Sequence, residues 1–255
     1  MTAMREQPYL DSPLASVYHL GNEMPDSSLR AWTAFIGLHS PVESPTVLDL
    51  GTGTGMFALA LARWRNANLV VGIDESAAML AQAAHRSGHE RVVYLAGTAT
   101  ELPVADHVFD LALLSRVIHH IPDRRRTAAE LKRALRPGGV VVVRTTVRAR
   151  LDSLVYDYWP QLRSFDVLRF ASQDDIMTDF TAAGLRPTGV ESFSQPVRRS
   201  LRAWRDSLAL RPQSKFGQLS PSEFEAGLRR LDDSVAAETN PTEVCERYDV
   251  LTFAA

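Results

Sequence analysis

Three groups of residues have types and spacings that can do chemistry. The first is Val47-Leu48-Asp49-Leu50-Gly51-Thr52-Gly53-Thr54-Gly55, where glycines recur at every second position straight after a short apolar run. Such glycines let the chain turn tightly out of a strand and let a ligand approach backbone amides at the start of the next helix. The second is Asp74, at the end of the following apolar run with Glu75 beside it. A carboxylate there can accept hydrogen bonds from a ribose diol. It can also cap the helix beginning at Ser76, and the two uses are compatible. The third is His119-His120. Either histidine, near its ordinary pKa, can take the proton of a phenol or hydroxyl at neutral pH; a structural pair in a turn is the other reading. Adjacent histidines point in different directions and no acidic cluster accompanies them, so no metal site is expected.

The elements that must position these residues alternate along the chain. Val47 to Leu50, Leu69 to Ile73, Val92 to Leu95, Leu111 to Leu114 and Val140 to Val147 are continuous apolar runs, the pattern of strands buried on both faces. Between them lie helical stretches at Met56 to Trp64, Ser76 to Arg86 and from the capping Asp123 to about Leu135, ended by Pro137-Gly138-Gly139. This predicts an α/β fold, doubly wound around a mostly parallel sheet. Asp26 to Leu38 reads as an amphipathic helix. Ser172 opens another, to about Ala183, and Ser220-Pro221-Ser222-Glu223 carries the signature of a capping box. Thr188 to Phe193 and Tyr248 to Phe253 complete a seven-stranded sheet. Residues 1–45 are expected to form an N-terminal helical lid segment, 46–196 the α/β core and 197–255 a C-terminal helical insertion with the final strand. Within the core, residues 148–171 are rich in aromatics, including Tyr156 and Trp159. That segment either packs on the core or walls the site together with Tyr18 and His19.

Composition narrows the partners. With 255 residues, 45% of them hydrophobic and 23% charged, the chain can bury a full core, which excludes disordered and fibrous classes. A formal charge of −2 gives no global attraction to polyanions, so a small molecule is the expected partner rather than nucleic acid or a membrane surface. Arg124-Arg125-Arg126 could suggest RNA but opens a helix whose apolar positions face elsewhere and reads as a solvated face; the arginines at 198, 199, 202 and 205 read the same way, with the entry of an anionic substrate as the other reading. The single Cys245 fits a reducing compartment, and the N-terminus does not read as a secretory signal, so the cytoplasm is expected.

The loop's spelling selects among nucleoside ligands. A dinucleotide fingerprint needs a small residue where Met56 stands, which weakens the pyrophosphate reading. In order, the glycine loop, Gly72-Ile73-Asp74, Leu95-Ala96-Gly97-Thr98-Ala99-Thr100-Glu101-Leu102-Pro103, Phe109-Asp110-Leu111 and Leu131 to Gly139 resemble the class I S-adenosylmethionine-dependent methyltransferases, over about residues 45–146. The form is similar to that of the ubiquinone, menaquinone and natural-product enzymes. The resemblance implies S-adenosyl-L-methionine as cofactor, with Asp49, Gly51, Thr52, Gly53 and Gly55 seating its methionine part and Asp74, with Glu75, at the ribose. It places Met79 against the adenine, where plain core packing is the alternative, and Gly97 and Ala99 nearby. Thr98 stands where the family usually has an aspartate, so a weaker hydroxyl acceptor replaces a carboxylate. Ser115 and Arg116 fall where the family meets the cofactor and begins the acceptor pocket.

The function expected is methyl transfer to a small organic acceptor, with His119 or His120 as base and Tyr18, Tyr156 and Trp159 toward the acceptor. A nicotinamide dehydrogenase, a nucleic-acid methyltransferase, or a protein that holds the cofactor without transferring methyl are the competing readings. Acceptor atom and state, monomer or homodimer, stay open.

Overall fold

The computed structural model describes residues 22–86 and 88–255. Helix α1 (Asp26–Leu38) precedes strand β1 (Thr46–Leu50), α2 (Met56–Trp64), β2 (Leu69–Asp74), α3 (Ala77–Arg86), β3 (Val92–Ala96) and β4 (Phe109–Ser115). Then come α4 (Arg124–Ala134), β5 (Leu135–Thr145), the short α5 (Val155–Tyr158), α6 (Gln161–Arg169) and α7 (Gln173–Ala182). The chain finishes with β6 (Arg186–Arg198), α8 (Leu201–Ala209), α9 (Pro221–Ala237) and β7 (Val244–Ala254). The seven strands form one sheet in the order β3-β2-β1-β4-β5-β7-β6. β1 to β5 are mutually parallel, and β7 runs antiparallel between β5 and β6.

This order sets the site. The chain winds from β1 outward to β3 and then crosses back to β4 on the other side of β1, so the crevice at the carboxyl ends of β1 and β4 is a topological switch point. Alternation along β1 directs Val47 toward one face, with Trp32, Ile36 and Leu61, and Leu48 toward the other, with Leu131 and Phe180. Both faces are covered, which is why the central runs are apolar throughout.

α1 is a core helix rather than a cover: Trp32 and Ile36 are fully buried between α2 and β6. The expected division at 196/197 falls inside β6, which is thirteen residues long rather than six. Its second half, Ser194 to Arg198, is polar and contains Pro196, so nothing in the residues announces a strand; an edge position with a register shift after Pro196 tolerates both. β7 likewise begins at Val244, before the expected Tyr248. The segment 148–171 and the helices after β6 share a cluster of their own, with Val155, Trp159 and Leu162 packed on Trp204, Phe216, Phe224 and Leu231. Residues from two stretches of sequence thus build one helical cap.

Candidate active site

Two adjoining cavities open at the switch point. The larger, about 250 Å³, lies over the ends of β1, β2 and β3; the smaller, about 80 Å³, continues over β5, β7 and β6. Gly51, Gly53, Ser115 and Arg116 line both.

The glycine loop forms their floor. Gly51, Gly53 and Gly55 all have positive φ, +71°, +55° and +76°, a region costly for a residue with a side chain. A Cβ at Gly51 would run into Val117 and one at Gly55 into the Tyr94 hydroxyl, whereas at Gly53 it would meet nothing within 4 Å. Gly53 is therefore the point at which the backbone faces open cleft. The loop is tied to the neighbouring strand by the Gly51 and Thr52 amides, which donate to the Ile73 carbonyl at 2.8 and 3.0 Å. The N-cap position of α2 is Gly55, which has no side chain to cap it, and the Ala58 amide in its first turn is met by the Asp49 carboxylate.

Asp74 closes the larger cleft from the β2 side. Its carboxylate accepts from the Gly53 amide at 2.8 Å and from the Ser76 amide at 2.9 Å, so the acid clasps the loop and caps α3 together. Burial raises its pKa against these hydrogen bonds. Glu75 is exposed at the rim, and Met79, only 3% exposed, presents its side chain to the wall beside Gly97, Thr98 and Ala99. The Thr98 hydroxyl lies 3.5 Å from that of Thr100 at the surface.

His119 and His120 reach the larger cleft from the Ile118–His120 turn. The premise of an ordinary pKa does not hold. Burial, with Arg169 and Arg116 nearby, lowers His120 to about 3, and burial followed by His120 and Arg169 holds His119 well below its usual value. A base so weak is nearly useless at neutral pH, where catalytic efficiency wants a pKa close to the working pH. Both rings are held in place: His120 takes an Arg169 hydrogen bond at 2.8 Å, the His119 ring lies 4.5 Å from that of Phe170, and among the described residues the enclosed His119 Nδ1 has no partner.

The smaller chamber is built from side chains. Asp49, 1% exposed, accepts from the Thr52 hydroxyl at 2.7 Å and is raised to about 6, chiefly by burial and further by Asp74. Arg144, 2% exposed, stands on β5 amid three rings, with its guanidinium carbon 3.6 Å from the Tyr248 centroid, 4.7 Å from Trp32 and 5.4 Å from Phe57. It donates to the Gln195 carbonyl at 3.0 Å, to the Ser115 hydroxyl at 3.2 Å and to the Tyr248 hydroxyl, and among the described residues its Nε–H meets no acceptor. Such rings return about 0.5–2 kcal/mol each against a desolvation cost of several kcal/mol for a buried ion. Burial lowers Arg144 to about 10, which leaves it charged at neutral pH. Tyr248 donates its hydroxyl to Glu246 and is pushed up to about 12, first by burial and then by that carboxylate. At the join, Arg116 holds φ +57°, strained for a side-chain-bearing residue, with its amide on the Arg144 carbonyl at 2.8 Å.

Placement of the remaining candidates differs from expectation. Trp159 is fully buried in the cap, stacked on Phe224 at 5.7 Å with its indole N–H donating to the Phe224 carbonyl, and lines neither cavity. Tyr156 is half-buried, donates to Asp166 at 2.7 Å and likewise lines neither. Tyr156 and Trp159 thus belong to the cap, since aromatic density answers to any apolar surface the tertiary fold supplies, whereas Phe170 of the same segment lies against His119. Tyr18 lies outside the described residues. Gln195, Trp204, Glu246 and Tyr248, all lining the smaller chamber, were not foreseen as site residues, while Arg198, read as a solvated helix face or an anionic substrate's entry, ends β6 and lines the same chamber. One signal existed for Arg144: a charge interrupting the apolar run 140–147.

A doubly wound sheet with a glycine loop and an acid-clasped cleft at its switch point defines an α/β protein with a ligand crevice at the carboxyl ends of its strands. Comparisons with known proteins agree. A family profile described as a methyltransferase domain matches residues 48–143. A demethylmenaquinone methyltransferase of Roseiflexus castenholzii is 33% identical over 150 residues, 58% of this chain and 63% of that one. The 27-O-demethylrifamycin SV methyltransferase of Amycolatopsis mediterranei is 29% identical over 192 residues, covering 72% and 70%. Among solved structures, the cyclase SpnF is 25% identical, with TM-score 0.60 over 88% of this chain and 80% of that one. Residues 48–143 are thus similar to a methyltransferase domain, and the two curated relatives named are methyltransferases. The chain spans less than two thirds of the first curated relatives it matches, 63% and 55% of their lengths.

Proposed function

We propose that the protein binds S-adenosyl-L-methionine in the larger cleft and transfers its methyl group to a small organic acceptor in the smaller chamber. The observation that carries the reading is Asp74 bonded to Gly53 at the one loop glycine whose Cβ side is open. That cradle fits an adenosyl group: a carboxylate with acceptor capacity to spare for a ribose diol, a backbone free of side-chain obstruction, and Met79, Gly97, Thr98 and Ala99 along a wall suited to adenine. Gly51, Thr52, Gly53 and Asp49 at the join suit the methionine part, with Ser115 and Arg116 opposite.

The bound cofactor supplies an activated sulfonium methyl for in-line displacement by an oxygen, nitrogen or carbon nucleophile. What this chain adds is alignment, worth about 7–11 kcal/mol in well-organised sites, and exclusion of water. Both follow from cavities that meet at a strained, well-tied junction. Among the described residues no helix is long and apolar enough to cross a membrane, and no three metal-ligating side chains converge. Relatives named for menaquinone and rifamycin chemistry support quinone-like or natural-product acceptors, and the exposed lone Cys245 fits the cytoplasm.

Calorimetry with S-adenosylhomocysteine against NAD, followed by a radiolabelled-methyl assay over phenolic, quinone-like and amine acceptors, tests this. Heat with the first ligand alone and label on at least one acceptor are the expected results; binding of NAD in preference ends the proposal. The likeness to a cyclase favours one second reading, a cofactor-holding protein that catalyses a different step. It predicts tight S-adenosylhomocysteine binding with no labelled product.

A further inference from the structure

We infer that the smaller chamber selects acceptors carrying a carboxylate, and that Arg144 is the residue that reads it. The inference rests on the proposed assignment of the larger cleft to the adenosyl group. With that group over β1, β2 and β3, the acceptor is left the ends of β5, β7 and β6, where Arg144, Tyr248, Glu246 and Gln195 stand.

Three observations converge on an anion. First, Arg144 is a deeply buried cation with no carboxylate at ion-pair distance among the described residues; its hydrogen-bond partners are neutral, the Gln195 carbonyl and the hydroxyls of Ser115 and Tyr248, and its Nε–H has none. A buried charge is normally paired, so a cation left with neutral partners at a cavity wall has room for a ligand's charge. Second, the aromatic box of Trp32, Phe57 and Tyr248 has the make-up of a cage for an ammonium ligand, but here the protein's own guanidinium fills it. A cationic acceptor would meet a like charge there. Third, the other charged groups facing the chamber do not cancel this sign. Arg116 from the end of β4 and Arg198 from the end of β6 bring the cations to three, against two carboxylates, Asp49 on β1 and Glu246 on β7, the latter acting on Arg144 from beyond ion-pair distance. The planar fork of an arginine matches a carboxylate's two oxygens.

Another carboxylate could claim the same guanidinium, that of the cofactor's own methionine part, and the experiment separates the two. Wild type and Arg144→Gln are loaded with S-adenosylhomocysteine and titrated calorimetrically with benzoate, 4-hydroxybenzoate and phenylacetate, each against its neutral amide. S-adenosylhomocysteine and 5′-methylthioadenosine, which lacks the amino-acid carboxylate, are titrated into the unloaded proteins. The expected result is at least a tenfold preference for an acid over its amide in wild type, abolished in Arg144→Gln, with both nucleosides binding each protein equally. Arg144→Lys, which keeps a cation without the fork, retains the preference at reduced affinity and serves if the glutamine variant does not fold. No acid binding better than its amide in wild type overturns the inference, as does a preference that survives in Arg144→Gln. Weakened S-adenosylhomocysteine binding with unchanged methylthioadenosine binding also overturns it, by assigning Arg144 to the cofactor. Failure of both nucleosides to bind wild type instead rejects the underlying assignment of the larger cleft.

Discussion

The two cavities that meet at Gly51 and Gly53 are made by different means. The larger is mostly backbone: a three-glycine loop, helix-end amides and one carboxylate that clasps them, all from elements adjacent in sequence or in the sheet. The smaller is mostly side chains, drawn from β1, β5, β6, β7 and α8 and locked by contacts such as Arg144 with Gln195 and Tyr248 with Glu246. The profile match ends at residue 143, one position before Arg144, and Gln195, Arg198, Trp204, Glu246 and Tyr248 all lie beyond it. A backbone cradle suits a ligand common to a family, because amides and glycines present the same groups whatever side chains surround them. A side-chain chamber can be respelled without disturbing the cradle, and so suits the component that differs between relatives.

Both cavities stand apart from the central indole of the helical cap that adjoins them, Trp159, which lines neither. Trp159→Ala removes a fully buried indole and its bond to Phe224, and is expected to cost about 3–5 kcal/mol of stability in chemical unfolding while the folded fraction binds S-adenosylhomocysteine with unchanged affinity. A large loss of affinity in protein shown to be folded would return the aromatic segment to the site.

Next in size is the larger cleft itself. Asp74→Ala deletes the proposed ribose acceptor and the partner of the Gly53 and Ser76 amides, and calorimetry should show S-adenosylhomocysteine binding about 100-fold weaker, near 3 kcal/mol. A change below threefold would detach Asp74 from the ligand.

The two cavities also respond oppositely to pH. Asp49, beside the smaller chamber, is raised in the folded state from 3.8 to about 6. Its contribution to stability is therefore fully present below about pH 4 and is lost as pH rises through 6, by up to about 3 kcal/mol. Asp49→Asn should remove that slope, so the stability of the variant relative to wild type rises between pH 4 and 7 in urea titrations. His120, at the larger cleft, is lowered to about 3, so its contribution is present above pH 6.5 and is lost as pH falls toward 3. His120→Asn should gain on wild type as the solution is acidified, the reverse of the Asp49 variant. Equal slopes for the two would break the comparison.

The smallest effect expected is on the pH profile of turnover. Because neither histidine titrates near neutrality, His119→Asn and His120→Asn should each leave the shape of the rate between pH 6 and 8 unaltered, with any loss of rate uniform across it. The disappearance of an inflection in either variant would restore a histidine base.

What the residues alone determined is the part of the molecule whose geometry is local. Glycines at alternate positions after a strand force the turn, Asp74 ends the next strand beside it, and apolar runs without alternation can only be interior strands of a covered sheet. Each needs information from a few neighbouring residues. The smaller chamber needed the fold: Ser194 to Arg198 becomes strand only by pairing along β7, which brings Gln195 to Arg144, 51 residues earlier. The same holds for the histidines and for Trp159. A pKa is set by the burial and charges that other elements impose, and an aromatic ring packs wherever the assembled fold leaves apolar surface; neither is written in the residue or its neighbours.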